Sequence, residues 1–203
     1  MATSKQNKKQ AKAHPTEIPL RIVGGKFRGH KINYHGDPIT RPMKNRVREA
    51  IFNLVGPRVR ELHAIDLFAG TGALGLEALS RGALSATFVE RHFPTANGIQ
   101  KNIDQLGVGE QSSLDRANVF AWIRDSSHFP LAPWLILCAP PYDYFVSETE
   151  SMIKLIKQCL EISENGSLLV VESDDRFDTE KLPLQTSWDV RQYPPATVSI
   201  FRK

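Results

Sequence analysis

The sequence is poor in what metal sites, disulfide frameworks and membrane spans require. Two cysteines occur in 203 residues, Cys138 and Cys159. Neither sits at a metal-ligand spacing or in a disulfide framework, so both read as buried, inert thiols. The six histidines are scattered without an H-x-x-x-H pair, and no metal site is expected. No apolar run approaches the roughly 20 residues of a membrane span. The stretch Met1–His14 is basic but has no apolar segment, so it does not read as a secretory signal. A reducing cytoplasm is the expected setting, away from any membrane.

Negative charge is what the first third lacks. Residues 1–60 hold fourteen lysines and arginines against Glu17, Asp37 and Glu49, whereas residues 61–203 hold twelve against nineteen acids. The overall charge of +4 therefore hides a basic third and an acidic remainder. This polarity points to a polyanion meeting the N-terminal third. Lys5, Lys8, Lys9 and Lys12 fall in a tail, residues 1–17, with little to bury and expected to be disordered. Arg21, Lys26, Arg28, Lys31, Arg41, Arg46 and Arg48 instead alternate with Ile22, Val23, Phe27, Ile32 and Val47, as in folded segments.

The chain then divides into an N-terminal basic extension, residues 18–60, and an α/β domain, residues 61–203. In the extension, Leu20–Val23 and Gly29–Tyr34 read as a short β-hairpin. Met43, Val47, Ala50, Ile51, Leu54 and Val55 recur at helical spacing, predicting an amphipathic helix from Lys44 to Val55 that Gly56-Pro57 stops. Beyond it, strands are expected at Ala64–Leu67, Ala86–Glu90, Ser113–Arg116, Leu135–Cys138 and Ser167–Glu172. Helices are expected at Ala73–Arg81, Pro94–Leu106, Val119–Arg124 and Glu148–Glu161. Trp188–Tyr193 and Thr197–Phe201, joined by Pro194-Pro195, read as a terminal hairpin. Alternating β and α implies a doubly wound, mostly parallel sheet with ligands at the strands' carboxyl ends.

The most informative stretch is Asp66 to Ala83. An apolar run ends in Asp66, Gly70-Thr71-Gly72 makes a turn of little bulk, and a helical pattern follows. Such a turn brings backbone close to an adenosine-type ligand at a helix N-terminus. Gly70-x-Gly72-x-x-Gly75 matches the dinucleotide spacing, and Glu90 stands where a ribose-binding acid belongs. Two features favour S-adenosylmethionine over a nicotinamide. Asp66-Leu67-Phe68-Ala69 precedes the first glycine and puts an acid near the loop, and the later strand ends in Ala139-Pro140-Pro141-Tyr142. A rigid Pro-Pro-aromatic corner serves an amino-methyltransferase and is idle in a dehydrogenase. Glu90 is expected to accept from ribose hydroxyls, its alternative being a pair with Arg91. Asn118 is expected to bond an adenine edge, its alternative being a helix cap.

These segments together resemble the bacterial 16S ribosomal RNA guanine-N2 methyltransferase family. The resemblance is carried by Arg21–Gly29, by Arg41-Pro42-Met43-Lys44-Asn45-Arg46-Val47-Arg48-Glu49, by Asp66–Ala83 and by the Pro140-Pro141-Tyr142 corner. It implies a Rossmann-like methyltransferase fold with a seven-stranded sheet. It also implies transfer of a methyl group from S-adenosylmethionine to the exocyclic amine of one guanine in 16S rRNA or a small-subunit ribosomal particle, by a monomer without metal. On this reading Asp66, Phe68, Gly70, Thr71, Gly72, Glu90, Arg91 and Asn118 hold the cofactor, and Ala139, Pro140, Pro141 and Tyr142 form the catalytic corner. Arg21, Lys26, Arg28, Arg41, Arg46 and Arg48 would grip RNA phosphates. Arg46 and Arg48, two apart on a helix, do not share a face, so at most one is expected to point into the cleft. The chain departs from the family at Ala139, where an Asp or Asn is usual. That departure leaves open backbone carbonyls or Asp143 as substitute acceptors, and also a non-catalytic RNA-binding relative. A nicotinamide-dependent oxidoreductase remains a third alternative from the glycine spacing alone.

Overall fold

The computed structural model describes residues 20–34, 43–125, 129 and 132–203. The expected tail and Arg41 lie outside the described residues. Seven strands form one sheet: β1 (His63–Asp66), β2 (Ser85–Val89), β3 (Ser112–Asp115), β4 (Trp134–Cys138), β5 (Leu168–Asp174), β6 (Trp188–Tyr193) and β7 (Ala196–Arg202). Their order is β3-β2-β1-β4-β5-β7-β6. The first five run parallel, while β7 enters antiparallel between β5 and β6. The strand order reverses between β1 and β4, which opens a crevice at their carboxyl ends. Asp66 ends one of these strands and Ala139 follows the other.

Among the described residues, six α-helices cover the faces: α1 (Asn45–Val55), α2 (Ala73–Ser80), α3 (Phe93–Leu106), α4 (Val119–Trp122), α5 (Tyr144–Ser147) and α6 (Thr149–Ile162). Because side chains alternate along a strand, β4 sends Leu135 and Leu137 into one apolar cluster and Ile136 and Cys138 into the other. The first cluster also takes in Ile22, Val47, Ile51, Phe52 and Val55. The extension therefore shares the sheet's core. Each such side chain contributes about 1.5–3 kcal/mol on burial.

The expected hairpin in the extension reduces to a single bridge, Arg21 to Lys31. Its cause lies in α2, whose Glu77 takes the N–H groups of Val23 and Gly24 at 2.8 and 2.7 Å. Those amides are thus unavailable to a partner strand. The expected helix at Val119–Arg124 is two residues shorter, and α5 was not anticipated, its first turn being set by the carbonyl of Pro141 accepting from Tyr144 N–H at 2.9 Å.

Candidate active site

Glycine shapes the β1–α2 turn. Gly70 and Gly72 hold φ of 51° and 75°, values that favour glycine. Gly75 has a different reason: a Cβ there would lie 2.3 Å from the Phe88 ring of β2. It lets α2 lie close on the sheet. Asp66 is 1% exposed, and its Oδ2 accepts from Gly75 N–H at 3.0 Å, satisfying an otherwise open amide of the helix N-terminus. Its Oδ1 has no hydrogen-bond partner. Burial, and then the charge of Glu90, raise its pKa to about 7 against the Gly75 hydrogen bond.

Glu90 follows β2 on the same edge. It accepts from Gly70 N–H at 2.9 Å and His92 N–H at 2.8 Å, so it fixes the glycine turn. The alternative pair with Arg91 is not formed; the Arg91 guanidinium lies 5.8 Å from the centre of the Tyr144 ring. Each Glu90 oxygen keeps a lone pair for a further donor. Asn118 caps α4 through Phe120 N–H at 2.9 Å, which leaves its amide N–H groups uncommitted by the cap. Phe68, Phe120 and Tyr144 meet around this edge with ring centres 5.8–6.4 Å apart. Phe120 and Tyr144 escaped the sequence reading, although each stands two residues from a residue singled out there. An orphaned buried carboxylate oxygen, spare acceptors on Glu90 and an aromatic trio suit the ribose and adenine of S-adenosylmethionine.

Across the switch point lies the corner after β4. Pro140 is buried and Pro141 exposed. The half-buried Tyr142 donates its hydroxyl hydrogen to Glu172 Oε1 at 2.7 Å. Burial first, and then the Glu172 charge and hydrogen bond, push the phenol pKa up. Glu172 near the end of β5 is 6% exposed; burial raises its pKa to about 7, partly offset by the Tyr142 hydrogen bond. Asp143 does not act as the corner's substitute carboxylate. Its side chain is 81% exposed and paired with Arg176 at 2.9 Å.

The basic residues separate into three groups. Arg46 is exposed and donates to the Pro194 carbonyl at 3.3 Å, placing it beside the β6–β7 turn at the strand-carboxyl edge. Arg21 folds back on the Gly29 carbonyl at 2.9 Å, while Lys26 and Arg28 are exposed in the turn at the far end of α2. Lys26 N–H bonds Ser80 O, so these two residues lie about one eight-residue helix, roughly 12 Å, from the glycine turn. Arg48 corrects the expectation that it meets RNA. It is 0% exposed and pairs with Glu77 at 3.3 Å. It also donates to Asn45 Oδ1 at 2.9 Å and to the Arg21 carbonyl. Burial lowers its pKa, opposed by Glu77.

The family described as Conserved hypothetical protein 95 matches residues 20–201. The chain belongs to that family. Over 96 residues it is 43% identical to ribosomal RNA small subunit methyltransferase D of Escherichia coli K12, covering 47% of this chain and 48% of the relative. The chain thus spans about half the length of that curated relative. The Haemophilus influenzae protein of the same name is 34% identical over 136 residues, 64% of this chain and 67% of that one. Among solved structures, the putative methyltransferase yhhF from Escherichia coli superimposes with a TM-score of 0.72 at 27% identity, covering 91% of this chain and 98% of that one. A Thermus thermophilus 16S rRNA N2 G1207 methyltransferase, solved with AdoMet and guanosine, shares the fold with a TM-score of 0.68 at 19% identity, covering 92% and 50%. The fold is therefore that of S-adenosylmethionine-dependent methyltransferases. The antiparallel β7 between β5 and β6 also departs from the 3-2-1-4-5-6 order of nicotinamide-binding domains, which overturns the oxidoreductase alternative.

Among the described residues no helix is long and apolar enough to cross a membrane. Both cysteines are buried, and burial raises both thiol pKa values, which keeps them unreactive.

Proposed function

We propose that the chain transfers a methyl group from S-adenosylmethionine to the exocyclic N2 amine of a guanine in 16S rRNA, acting as a monomer on the RNA or an assembling small-subunit particle. The observation that supports this reading is that the Asp66–Gly72 turn and the Pro140-Pro141-Tyr142 corner follow β1 and β4, adjacent parallel strands, at their carboxyl ends. The names of the Escherichia coli and Haemophilus influenzae relatives support the rRNA substrate.

When bound, S-adenosylmethionine supplies an electrophilic methyl on a sulfonium. Glu90 accepts from ribose hydroxyls, and the free amide hydrogens of Asn118 meet the adenine edge. Phe68, Thr71 and Arg91 border the same space. Pro140 and Pro141 fix the backbone, so Tyr142 presents its ring as a platform for an unstacked base. Arg21, Lys26, Arg28 and Arg46 hold phosphates, giving affinity without sequence reading. In-line placement of amine and methyl then carries much of the acceleration.

The experiment is methyl transfer from labelled S-adenosylmethionine to undermodified small-subunit particles, followed by nucleoside analysis of the RNA. N2-methylguanosine is the expected product. Label in another nucleoside overturns the N2 assignment. Ala139 specifically favours one second reading, a non-catalytic relative that binds RNA and S-adenosylmethionine. Tight binding of both with no label transferred would establish it.

A further inference from the structure

The corner lacks a side-chain acceptor at Ala139, yet a buried carboxylate stands on the neighbouring strand. The parallel register pairs Cys138 with Val171, so residue 139 continues beside residue 172. Both continue the alternation of Leu137 and Val170, which lie in the same apolar cluster, so Ala139 and Glu172 share a face of the sheet. Adjacent strands are about 4.8 Å apart, and an alanine ends at Cβ, leaving room that a glutamate can reach into. The 2.7 Å bond from the Tyr142 hydroxyl draws the Glu172 carboxylate toward the β4 side. Among the described residues no lysine or arginine pairs with it. This is an unusual place for an acid whose only task is packing, because an unpaired buried carboxylate costs folding free energy.

We infer that Glu172 does from β5 what an acid at position 139 would do from β4: held at the corner by Tyr142, it accepts the proton that the guanine amine sheds. This rests on the methyl-transfer reading above. The amine nitrogen forms its bond to the transferred methyl carbon as the carbon–sulfur bond breaks, with that electron pair staying on sulfur. The nitrogen then carries the positive charge until one of its protons passes to Glu172. The neutral acid returns the proton to solvent once product has left. A carboxyl group that titrates near neutrality is suited to this exchange. The groups around it are few. Tyr142 faces it from the corner, and Asp174 lies two residues along β5, tied to Arg176 at 2.8 Å. Val198 opposes it on β7, Ala139 flanks it on β4, and Arg46 is the cation of α1 at the same edge.

Turnover on undermodified small-subunit particles, measured from about pH 5.5 to about 9 in steps of about half a unit, tests the assignment together with three variants. Wild-type kcat should rise with pH through a limb near 7. Glu172→Gln keeps the size and a partner for Tyr142; it should lower kcat by about 100-fold or more, remove that limb, and leave KM and S-adenosylmethionine affinity within about threefold. Adding Ala139→Asp to Glu172→Gln should restore at least about tenfold, which a merely structural glutamate would not allow. Tyr142→Phe keeps the ring and should shift the limb while losing less than Glu172→Gln. A Glu172→Gln rate within about threefold of wild type overturns the inference, as does failure of Ala139→Asp to rescue. If wild type binds S-adenosylmethionine but is inactive and Ala139→Asp alone is active, Glu172 has no such role and the non-catalytic reading of the chain replaces the methyl-transfer one. If both bind S-adenosylmethionine and neither transfers a methyl, the reading itself falls and takes this inference with it.

Discussion

Glu77 should be the most costly single side chain to replace in the extension's attachment. Its Oε2 accepts from Val23 N–H at 2.8 Å and from Arg48 Nε at 3.3 Å, and its Oε1 from Gly24 N–H at 2.7 Å and Arg81 Nε at 2.8 Å. Both Glu77 and Arg48 are fully buried. Removing one partner of such a pair leaves the other charge uncompensated, at a cost of about 3–5 kcal/mol. Glu77→Gln retains one acceptor oxygen, so about 3 kcal/mol is the expected loss, equivalent to a fall in Tm of roughly 6–12 °C for a chain of this size. Urea unfolding gives the free energy directly, with the slope checked for two-state behaviour. Arg48→Met supplies the discriminating arm. It should also lose stability while leaving the salt dependence of RNA binding unchanged, whereas a phosphate-contacting arginine would lower that slope by about one. Glu77→Gln costing less than about 1 kcal/mol would refute the buried pair as the anchor. So would an Arg48→Met that keeps its stability and loses a unit of salt slope.

Gly75→Ala would drive a methyl to 2.3 Å from the Phe88 ring, so urea unfolding should register a loss of about 1–3 kcal/mol. Asp66 has its pKa raised from 3.8 to about 7, chiefly by burial, so its contribution is complete below pH 3.8 and is lost as pH rises through about 7. Thermal melts should show wild type losing stability across that window relative to Asp66→Asn. The comparison must be a difference, because His63, lowered to about 4 by burial, loses its contribution in the opposite direction as pH falls from 6.5. Replacing Lys26 and Arg28 together should lower the salt slope of RNA binding by up to about two and leave S-adenosylmethionine affinity unchanged in calorimetry; a changed cofactor affinity would contradict their placement at the far end of α2.

The parts of this architecture that depend on local rules were legible in the sequence. Periodicity placed the five parallel strands and the long helices within a residue or two, the apolar run Leu135–Cys138 among them. The Asp66 turn and the proline corner could be put on one sheet edge because strands carry ligands at one end only. What escaped were the long-range partners. Arg48 and Arg46 have the same side-chain type and neighbouring positions, and nothing local tells which one is buried. The answer is Glu77, twenty-nine residues away on another helix. Glu172 was invisible for the same reason: inside an apolar strand it reads as the end of the run, and only the β4–β5 register sets it beside Ala139. Asp143 looked nearer in sequence and is turned to solvent.

The same long-range bonds decide how the basic ribbon relates to the cofactor turn. At one end of the ribbon Asn102 accepts from Asn33 N–H at 2.8 Å and donates to the carbonyls of Asn33 at 3.1 Å and Thr71 at 3.5 Å. At the other end Glu77 and Ser80 hold Val23, Gly24 and Phe27. The ribbon is therefore fastened along the whole of α2, from the glycine turn that faces the crevice to the helix's last turn. Ile22 and Ile32 bury beneath it in the same cluster as α1 and the sheet. A segment tethered at both ends over a shared core cannot swing as an independent RNA-binding arm. Its cations keep a fixed distance from the cofactor turn, so on the proposed function an RNA touching Lys26 and Arg28 would have to extend past the reacting base by about the length of α2.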